Sequence, residues 1–429
     1  MGTKVEELQA TLYRVAKTEP TRRFHALYDK AWRPDVLAEA WALVRANGGA
    51  PGVDGKTIEE IEREGVPSFL EGLGRELAAK SYRPNPVRRV WIPKSNGKLR
   101  GLGIPTVRDR VVQTAVKLVL EPIFEAGFED GSYGFRPGRS AHDAVAEVDK
   151  WLNFGCEQVV DADIAGCFDS IPKSRLMKAV ADRVADGSVL HLVRQCLDAG
   201  ILEDGVVTVA EAGTPQGSPL SPLLANVYLD GLDKAWKASG LTDRRKANAH
   251  LVRYADDFVI LAERNATQVL ATLRRIVGDL GLTLSPEKTR VVEAEEGFDF
   301  LGFRFRRRFS RRKGKRATTW FPSPKSEARV RERIREETQP RVLSEGDPWD
   351  AKERVERLLV GWFDYFGRSQ ARSVANSVFG YAHRRLACLL RTWHQWRRPP
   401  AYEVLQKVGL SLVGTRAHPR QWVRGVGRE

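Results

Sequence analysis

Apolar residues recur at helical spacing from Lys4 to Lys17 and again from Arg33 to Asn47, after which the chain meets Gly48-Gly49. Residues three and four apart share one helix face, so both stretches predict amphipathic helices, the second stopped by the glycines. A Gly-Gly-Ala-Pro-Gly loop precedes another short helix near Ile58. Between 67 and 150 the pattern mixes strands, such as Val87 to Pro93, with a long helix from about Val107 to Phe124. Strand and helix alternate from 151 to 305. Past Phe321-Pro-Ser-Pro324, helical spacing dominates to about Trp396. There Leu358, Leu359, Trp362, Tyr365 and Phe366 share one face and Val374, Val378, Tyr381 and Ala382 another, most simply as core contacts between helices. Arg397-Arg-Pro-Pro400 then breaks the pattern.

Two apolar runs carry acids where a strand should end. Leu251-Val-Arg-Tyr254 and Phe258-Val-Ile-Leu-Ala262 predict a hairpin with Asp256 and Asp257 at its turn. Adjacent charges between apolar runs are costly unless neutralised, and a divalent metal does this well. Upstream, Gln158-Val-Val-Asp-Ala-Asp163 is an apolar strand ending in acid, followed by a helix that Pro172 could open. Asp163 would face the hairpin turn across a sheet. Three carboxylates from two strands suit two magnesium ions about 3.5–4 Å apart, with substrate phosphate completing their shells. Turn chemistry alone also places Asp-Asp at a hairpin tip; the acidic strand end upstream favours the metal site.

Composition narrows the class. A chain of 429 residues, 42% of them hydrophobic, can fill two or three domains. No apolar run approaches the ~20 residues of a membrane span, and Met1-Gly-Thr-Lys-Val-Glu-Glu lacks a signal-peptide core. The four cysteines are scattered without a Cys-x-x-Cys, which argues against zinc and disulfides and fits a reducing cytoplasm with no membrane partner. Net charge is +15, and it is concentrated: residues 301–429 hold 30 Lys and Arg against 12 Asp and Glu, the preceding 300 hold 40 against 43. A basic third rich in Arg and Trp predicts phosphate backbones as partners, since a merely solubilising face mixes both signs. Arg304 to Arg316 packs nine Lys or Arg around Phe305 and Phe309, an exposed hairpin or linker at a domain boundary. Arg306, Arg307, Arg308, Arg311, Arg312 and Lys313 are its candidate nucleic-acid contacts.

Further motifs carry a resemblance. Tyr254-Ala-Asp-Asp257 resembles the catalytic box of reverse transcriptases, and Asp163-Ile with Phe168-Asp169 resembles their first aspartate motif. Between them, Gly213-Thr-Pro-Gln-Gly-Ser-Pro-Leu-Ser-Pro-Leu-Leu is similar to the middle palm motif. Tyr133-Gly-Phe-Arg-Pro-Gly-Arg-Ser140 and Ile92-Pro-Lys-Ser-Asn-Gly-Lys-Leu-Arg-Gly-Leu-Gly-Ile-Pro105 resemble finger motifs. Asn47-Gly-Gly-Ala-Pro-Gly-Val-Asp-Gly55 is similar to the N-terminal segment of group II intron-encoded proteins. Phe298-Asp-Phe-Leu-Gly-Phe303 resembles the primer-grip turn, and Gly361-Trp-Phe-Asp-Tyr-Phe366 the maturase thumb. These motifs run in one order over roughly residues 25–400.

The resemblance implies an α+β right-hand polymerase: fingers, a palm with an antiparallel sheet, and an α-helical thumb or maturase domain. Its expected parts are an N-terminal helical segment (1–66), fingers and palm (67–305), a basic linker (306–325), a helical thumb (326–400) and a short tail (401–429) without a nuclease module. It implies Asp163, Asp256 and Asp257 as catalytic metal ligands, the Ile164 main-chain carbonyl as a further ligand, and two Mg2+ ions for which Mn2+ can substitute. Lys94 and Arg100 would bind the triphosphate, with Lys98 a competitor. Phe168 would underlie the sugar, Gln216 would lie beside a base, and Lys288 would act as general acid for pyrophosphate or stand as a surface lysine. Asp161 reads as a bystander, and Asp169 and Ser170 as helix caps. The implied partners are an RNA template and DNA primer, a group II intron RNA held as a ribonucleoprotein, and a DNA target. The implied activity is RNA-directed DNA polymerisation with assistance to splicing and retrohoming. Its rivals are a related enzyme of phage defence or DNA repair, a maturase that binds RNA without useful polymerase activity, and an RNA-directed RNA polymerase.

Overall fold

The structure, a computed structural model, describes residues 2–93, 99–311, 314–344, 348–393 and 395. Its strands are β1 (Val87–Pro93), β2 (Leu99–Ile104), β3 (Gln158–Asp163), β4 (Ile201–Glu203), β5 (Val206–Thr208), β6 (His250–Tyr254), β7 (Asp257–Ala262), β8 (Arg290–Glu293), β9 (Phe298–Phe300), β10 (Phe303–Ser310) and β11 (Lys315–Pro322). They form sheets of order β2-β1-β4-β5, β6-β7-β3-β8 and β11-β10-β9. The chain divides into two compact units: Met1–Val148 with Val160–Val291, and Asp149–Val159 with the chain from Val292 onward.

The first unit has one continuous core. The expected helices are Lys4–Thr18 and Pro34–Asn47, the first closed by a Thr3–Glu6 capping box and the second opened by proline at its start. Both lay their apolar stripes against the long helix Val107–Glu125, whose Val111, Val112 and Ala115 are fully buried. Val5, Leu12 and Val36 therefore share a core with Val160 and Ile260 of the central sheet. The expected break at residue 66 is not a break in packing. Asp186 secures the N-terminal stretch by accepting from the Leu27 and Tyr28 amides at 2.9 and 2.8 Å, and it also caps helix Gly187–Asp198 at Ser188 and Val189.

In the second unit the basic segment expected as an exposed hairpin or as a linker over 306–325 takes the hairpin form, and it is packed rather than free. That segment is the β10–β11 hairpin, paired from Phe303↔Pro322 to Ser310↔Lys315. Two of its inward side chains are aromatic: Phe303 and Phe305 are fully buried, Phe305 stacks on Phe298 at 5.3 Å, and Phe303 meets Phe366 at 4.9 Å. The face expected on helix Pro348–Phe366 does its packing here, with Leu359, Trp362 and Phe366 buried and the Tyr365 hydroxyl donating to Leu301 O at 2.9 Å. Charge read alone hid a strand whose alternate residues are core.

Candidate active site

The hairpin is tight. Tyr254 pairs with Asp257, so Ala255 and Asp256 alone make the turn, and Ala255 takes a φ of 58°. Two-residue hairpins require such left-handed positions, which a small side chain tolerates better than a bulky one. Beneath the turn lies Arg253, with no solvent exposure. Its Nε donates to Asp233 at 2.9 and 3.1 Å, and its Nη1 donates to Asn226 Oδ1 at 3.1 Å and to Ala255 O at 2.9 Å. One guanidinium thus ties the turn carbonyl to helix Ser221–Ala238. The outer edge of β6 is covered as well: Arg253 N donates to Gly131 O and Tyr133 N to Arg253 O, both at 2.8 Å.

β7 lies beside β3, so the hairpin acids and Asp163 come from neighbouring strands. Desolvation pushes the Asp257 carboxyl up to about 6, with the Asp256 and Asp163 charges adding to it. Asp257 keeps an exposed surface, so the like charges are the firmer part of that rise. Burial raises the Asp256 carboxyl too, and the Asp163 charge raises it further. Lys288 Nζ stands 2.6 Å from Asp163 Oδ2, and that bond raises the lysine in turn. Asp161, two residues back on β3, is paired with Arg290 at 3.0 Å.

A second cluster borders these acids. Arg100 Nε on β2 donates to Gln216 Oε1 at 2.7 Å, and Gln216 Nε2 donates to Asp169 Oδ2 at 2.9 Å. Asp169 was expected only to cap a helix; instead it holds the Gln216 amide. The Gln216 loop sits deep because two glycines allow it. Gly213, at φ 92°, leaves no room for a Cβ against the Asp169 backbone at 2.9 Å, and Gly217, at φ 120°, abuts Gly103 O. Arg100, Phe168 and Gln216 line one cavity of about 400 Å3. Lys94 and Lys98 lie outside the described residues, as do Arg312 and Lys313.

The donors suit a hard divalent cation in kind, all being oxygen. Among the described residues no three acids, histidines or cysteines converge closely enough to hold one ion by themselves. Main-chain oxygen, water and substrate phosphate would complete the shell, as magnesium generally requires. Ile164 bridges Leu284 with the flanking bonds carried by Asp163 O and Ala165 N, so its own carbonyl points away from that partner.

Residues 92–305 match the family described as reverse transcriptase (RNA-dependent DNA polymerase), and residues 328–409 match the group II intron maturase-specific domain. Protein YkfC of Escherichia coli is 35% identical over 357 residues, covering 75% of this chain and 93% of that protein. The chain belongs to the group II intron reverse transcriptases. The group II intron-encoded protein LtrA of Lactococcus lactis is 39% identical over 214 residues, 49% of this chain and 35% of LtrA. The putative COX1/OXI3 intron 2 protein of Saccharomyces cerevisiae is 27% identical over 302 residues, 58% of this chain and 35% of that protein. The chain spans about a third of the length of each of these two.

This reverse transcriptase is an RNA-directed DNA polymerase by class, joined to a maturase-specific domain. Asp163, Asp256, Asp257, Ile164, Arg100, Phe168, Gln216 and Lys288 all fall inside the polymerase match. The fold bears out the α+β reading, with an antiparallel β6–β7 pair in the palm and helices after Pro324. No helix among the described residues is long and apolar enough to cross a membrane.

The basic hairpin divides its arginines between two jobs. Arg307 departs from the expected nucleic-acid role: it is buried, its Nε donates to Glu157 at 2.8 Å, and its Nη1 donates to Leu152 O. The alternation that buries Phe303 and Phe305 buries Arg307 as the next inward residue, which explains the difference. Arg308 and Arg311 are exposed, with Phe309 beside them 64% exposed, and Arg306 is partly covered. Arg253 and Asp233 carry no expected role in the sequence, and Asp169 only that of a cap; an arginine inside an otherwise apolar strand is the one signal of the first.

Proposed function

We propose that this chain extends a DNA primer on an RNA template by in-line attack of the primer 3′-hydroxyl on the α-phosphate of a deoxynucleoside triphosphate, releasing pyrophosphate. The observation that carries this is the placement of Asp163, Asp256 and Asp257 on adjacent strands, close enough that the Asp163 charge raises both hairpin carboxyls and the Asp256 charge raises that of Asp257. Such a site gains from cationic company, and in the free protein Lys288 supplies part of it. Asp163, Asp256, Asp257 and the Ile164 carbonyl are the residues that would hold two magnesium ions, or manganese in their place. When bound, those ions activate the attacking hydroxyl and stabilise the leaving oxygen.

The other residues bind and orient. Arg100, held by Gln216, presents its remaining N–H groups to the triphosphate, where charge-assisted bonds are strongest. Lys94 is proposed for the same phosphates. Phe168, half-buried on the cavity wall, sets the floor under the sugar and disfavours a 2′-hydroxyl. Gln216, fixed by Asp169, lies beside the base. Lys288 donates the proton that pyrophosphate takes up as it leaves.

The basic surface of the second unit, with Arg306, Arg308 and Arg311 as its hairpin contacts, is proposed to bind group II intron RNA, supporting splicing and insertion at a DNA target. Primer extension on RNA tests the polymerase reading. Splicing of an intron RNA at low magnesium, with and without the protein, tests the maturase reading; equal splicing rates would remove it.

A further inference from the structure

Phe135 is held in a backbone state that its own ring does nothing to stabilise. Its φ is +55°, which is costly for a bulky side chain and persists only where the surroundings impose it. The surroundings do impose it, from both sides. Gly134 lies against the backbone of Ala255 so closely that no Cβ would fit, and its carbonyl accepts from Asn226 Nδ2 at 2.7 Å. Arg136 is buried and donates to Glu125 at 2.7 Å, to Glu129 O at 2.7 Å and to Ser132 O at 2.6 Å. Between two clamped neighbours, Phe135 is 50% exposed.

A core phenylalanine would be buried, and a mere turn residue at this φ would be cheaper as glycine or asparagine. The ring instead lines the cavity of about 400 Å3 that also holds Phe168, Arg100 and Gln216. Its walls combine aromatic faces and prolines (Pro219 and Pro222) with guanidinium groups. An exposed aromatic face beside cationic groups is the combination that receives a flat base joined to a phosphate.

We propose that Phe135 is a stacking platform for a nucleobase entering this cavity, a binding residue outside the set named above. The proposal rests on the polymerase reading for its ligand. The chemistry it recognises is the π-face of a base, whether of the template strand or of the incoming nucleotide.

The test uses the full chain bound to an RNA template with a dideoxy-terminated DNA primer. 2-Aminopurine is placed either in the template opposite the next position or in the added deoxynucleoside triphosphate. Stacking on Phe135 leaves the fluorescence of one of these two probes lower in the parent and in Phe135→Tyr than in Phe135→Leu and Phe135→Gly. Affinity for that same component falls about tenfold in the latter pair, the scale of one lost base–aromatic stack. The probe that responds identifies the source of the base. Phe135→Gly also melts no lower than Phe135→Leu, since glycine takes this φ freely. Equal fluorescence across all four proteins with both probes would overturn the proposal. So would a Phe135→Gly protein that melts well below Phe135→Leu, because the backbone would then not be under the tension described. A parent that shows the probe response yet extends no unblocked primer would defeat the polymerase reading and leave this one intact.

Discussion

Arg253 and Asp233 form a fully buried ion pair beneath the hairpin that carries Asp256, with Arg253 Nε 2.9 and 3.1 Å from the two carboxylate oxygens. Because the same guanidinium holds Ala255 O, the position of the turn depends on this pair. Removing one partner strands a buried charge, which generally costs about 3–5 kcal/mol. Asp233→Ala is expected to lower stability to urea by that amount, whereas Arg253→Met combined with Asp233→Leu recovers much of it. An Asp233→Ala protein as stable as the parent would show that the pair does not support the turn.

Acid should loosen the N-terminal stretch before the rest. Burial alone would raise the Asp186 carboxyl, but its bonds from the Leu27, Tyr28, Val189 and Ser188 amides outweigh burial and hold it below the ordinary value of 3.8. A carboxyl depressed in the folded state contributes stability above its unfolded value and loses it as pH falls through the folded one. Protection of the Leu27 and Tyr28 amides, taken relative to their intrinsic exchange at each pH, is therefore expected to fall below about pH 4, and Asp186→Asn to show that lower protection already at pH 7. Exchange rates indifferent to the substitution would contradict the assignment.

Lys288 and a metal compete for one carboxylate. With Nζ 2.6 Å from Asp163 Oδ2, the ammonium occupies ground that a divalent cation would take. Lys288→Ala is expected to lower the magnesium concentration needed for half of the metal-induced rise in melting temperature, while slowing turnover severalfold through the lost proton donor. If the substitution weakens magnesium binding instead, Lys288 supports the ion rather than substituting for it.

Two arginines adjacent in sequence should behave oppositely. Arg307→Ala removes a buried guanidinium and its bonds to Glu157 and Leu152 O, leaving Glu157 with Arg316 alone, and is expected to lower the melting temperature. Arg308→Ala leaves stability alone, weakens RNA binding across sequences, and reduces the salt slope of affinity by about one. Equal effects of the two substitutions on stability would mean that the hairpin does not pack as described.

Much of this was legible in the sequence, and the part that was not has a physical cause. Asp163, Asp256 and Asp257 stood out because acids at the ends of apolar strands have few structural explanations, and the strands form where the apolar runs placed them. The helix at Val107–Glu125 and the stop at Gly48 followed from spacing and glycine. Arg253 was hidden because an arginine with no exposure is exceptional, and its partner lies 20 residues away on a helix. Asp169 was misjudged because local sequence offers it a cap, while its true partner, Gln216, is 47 residues on. For the basic segment a hairpin and a linker are both legible in the sequence, but its packing is not, because the charge count masks a period of two: Phe303, Phe305 and Arg307 point inward. Long-range pairing is the information that composition and periodicity do not carry.

The most direct measurement is extension of a DNA primer annealed to an RNA template, with magnesium and deoxynucleotides, by the parent and by Asp256→Asn at matched fold and matched template affinity. The expected result is extension by the parent and its loss in the variant. A parent that binds structured RNA tightly yet extends nothing, or a variant that extends as well as the parent, would contradict the assignment of Asp256 to an RNA-templated polymerase site.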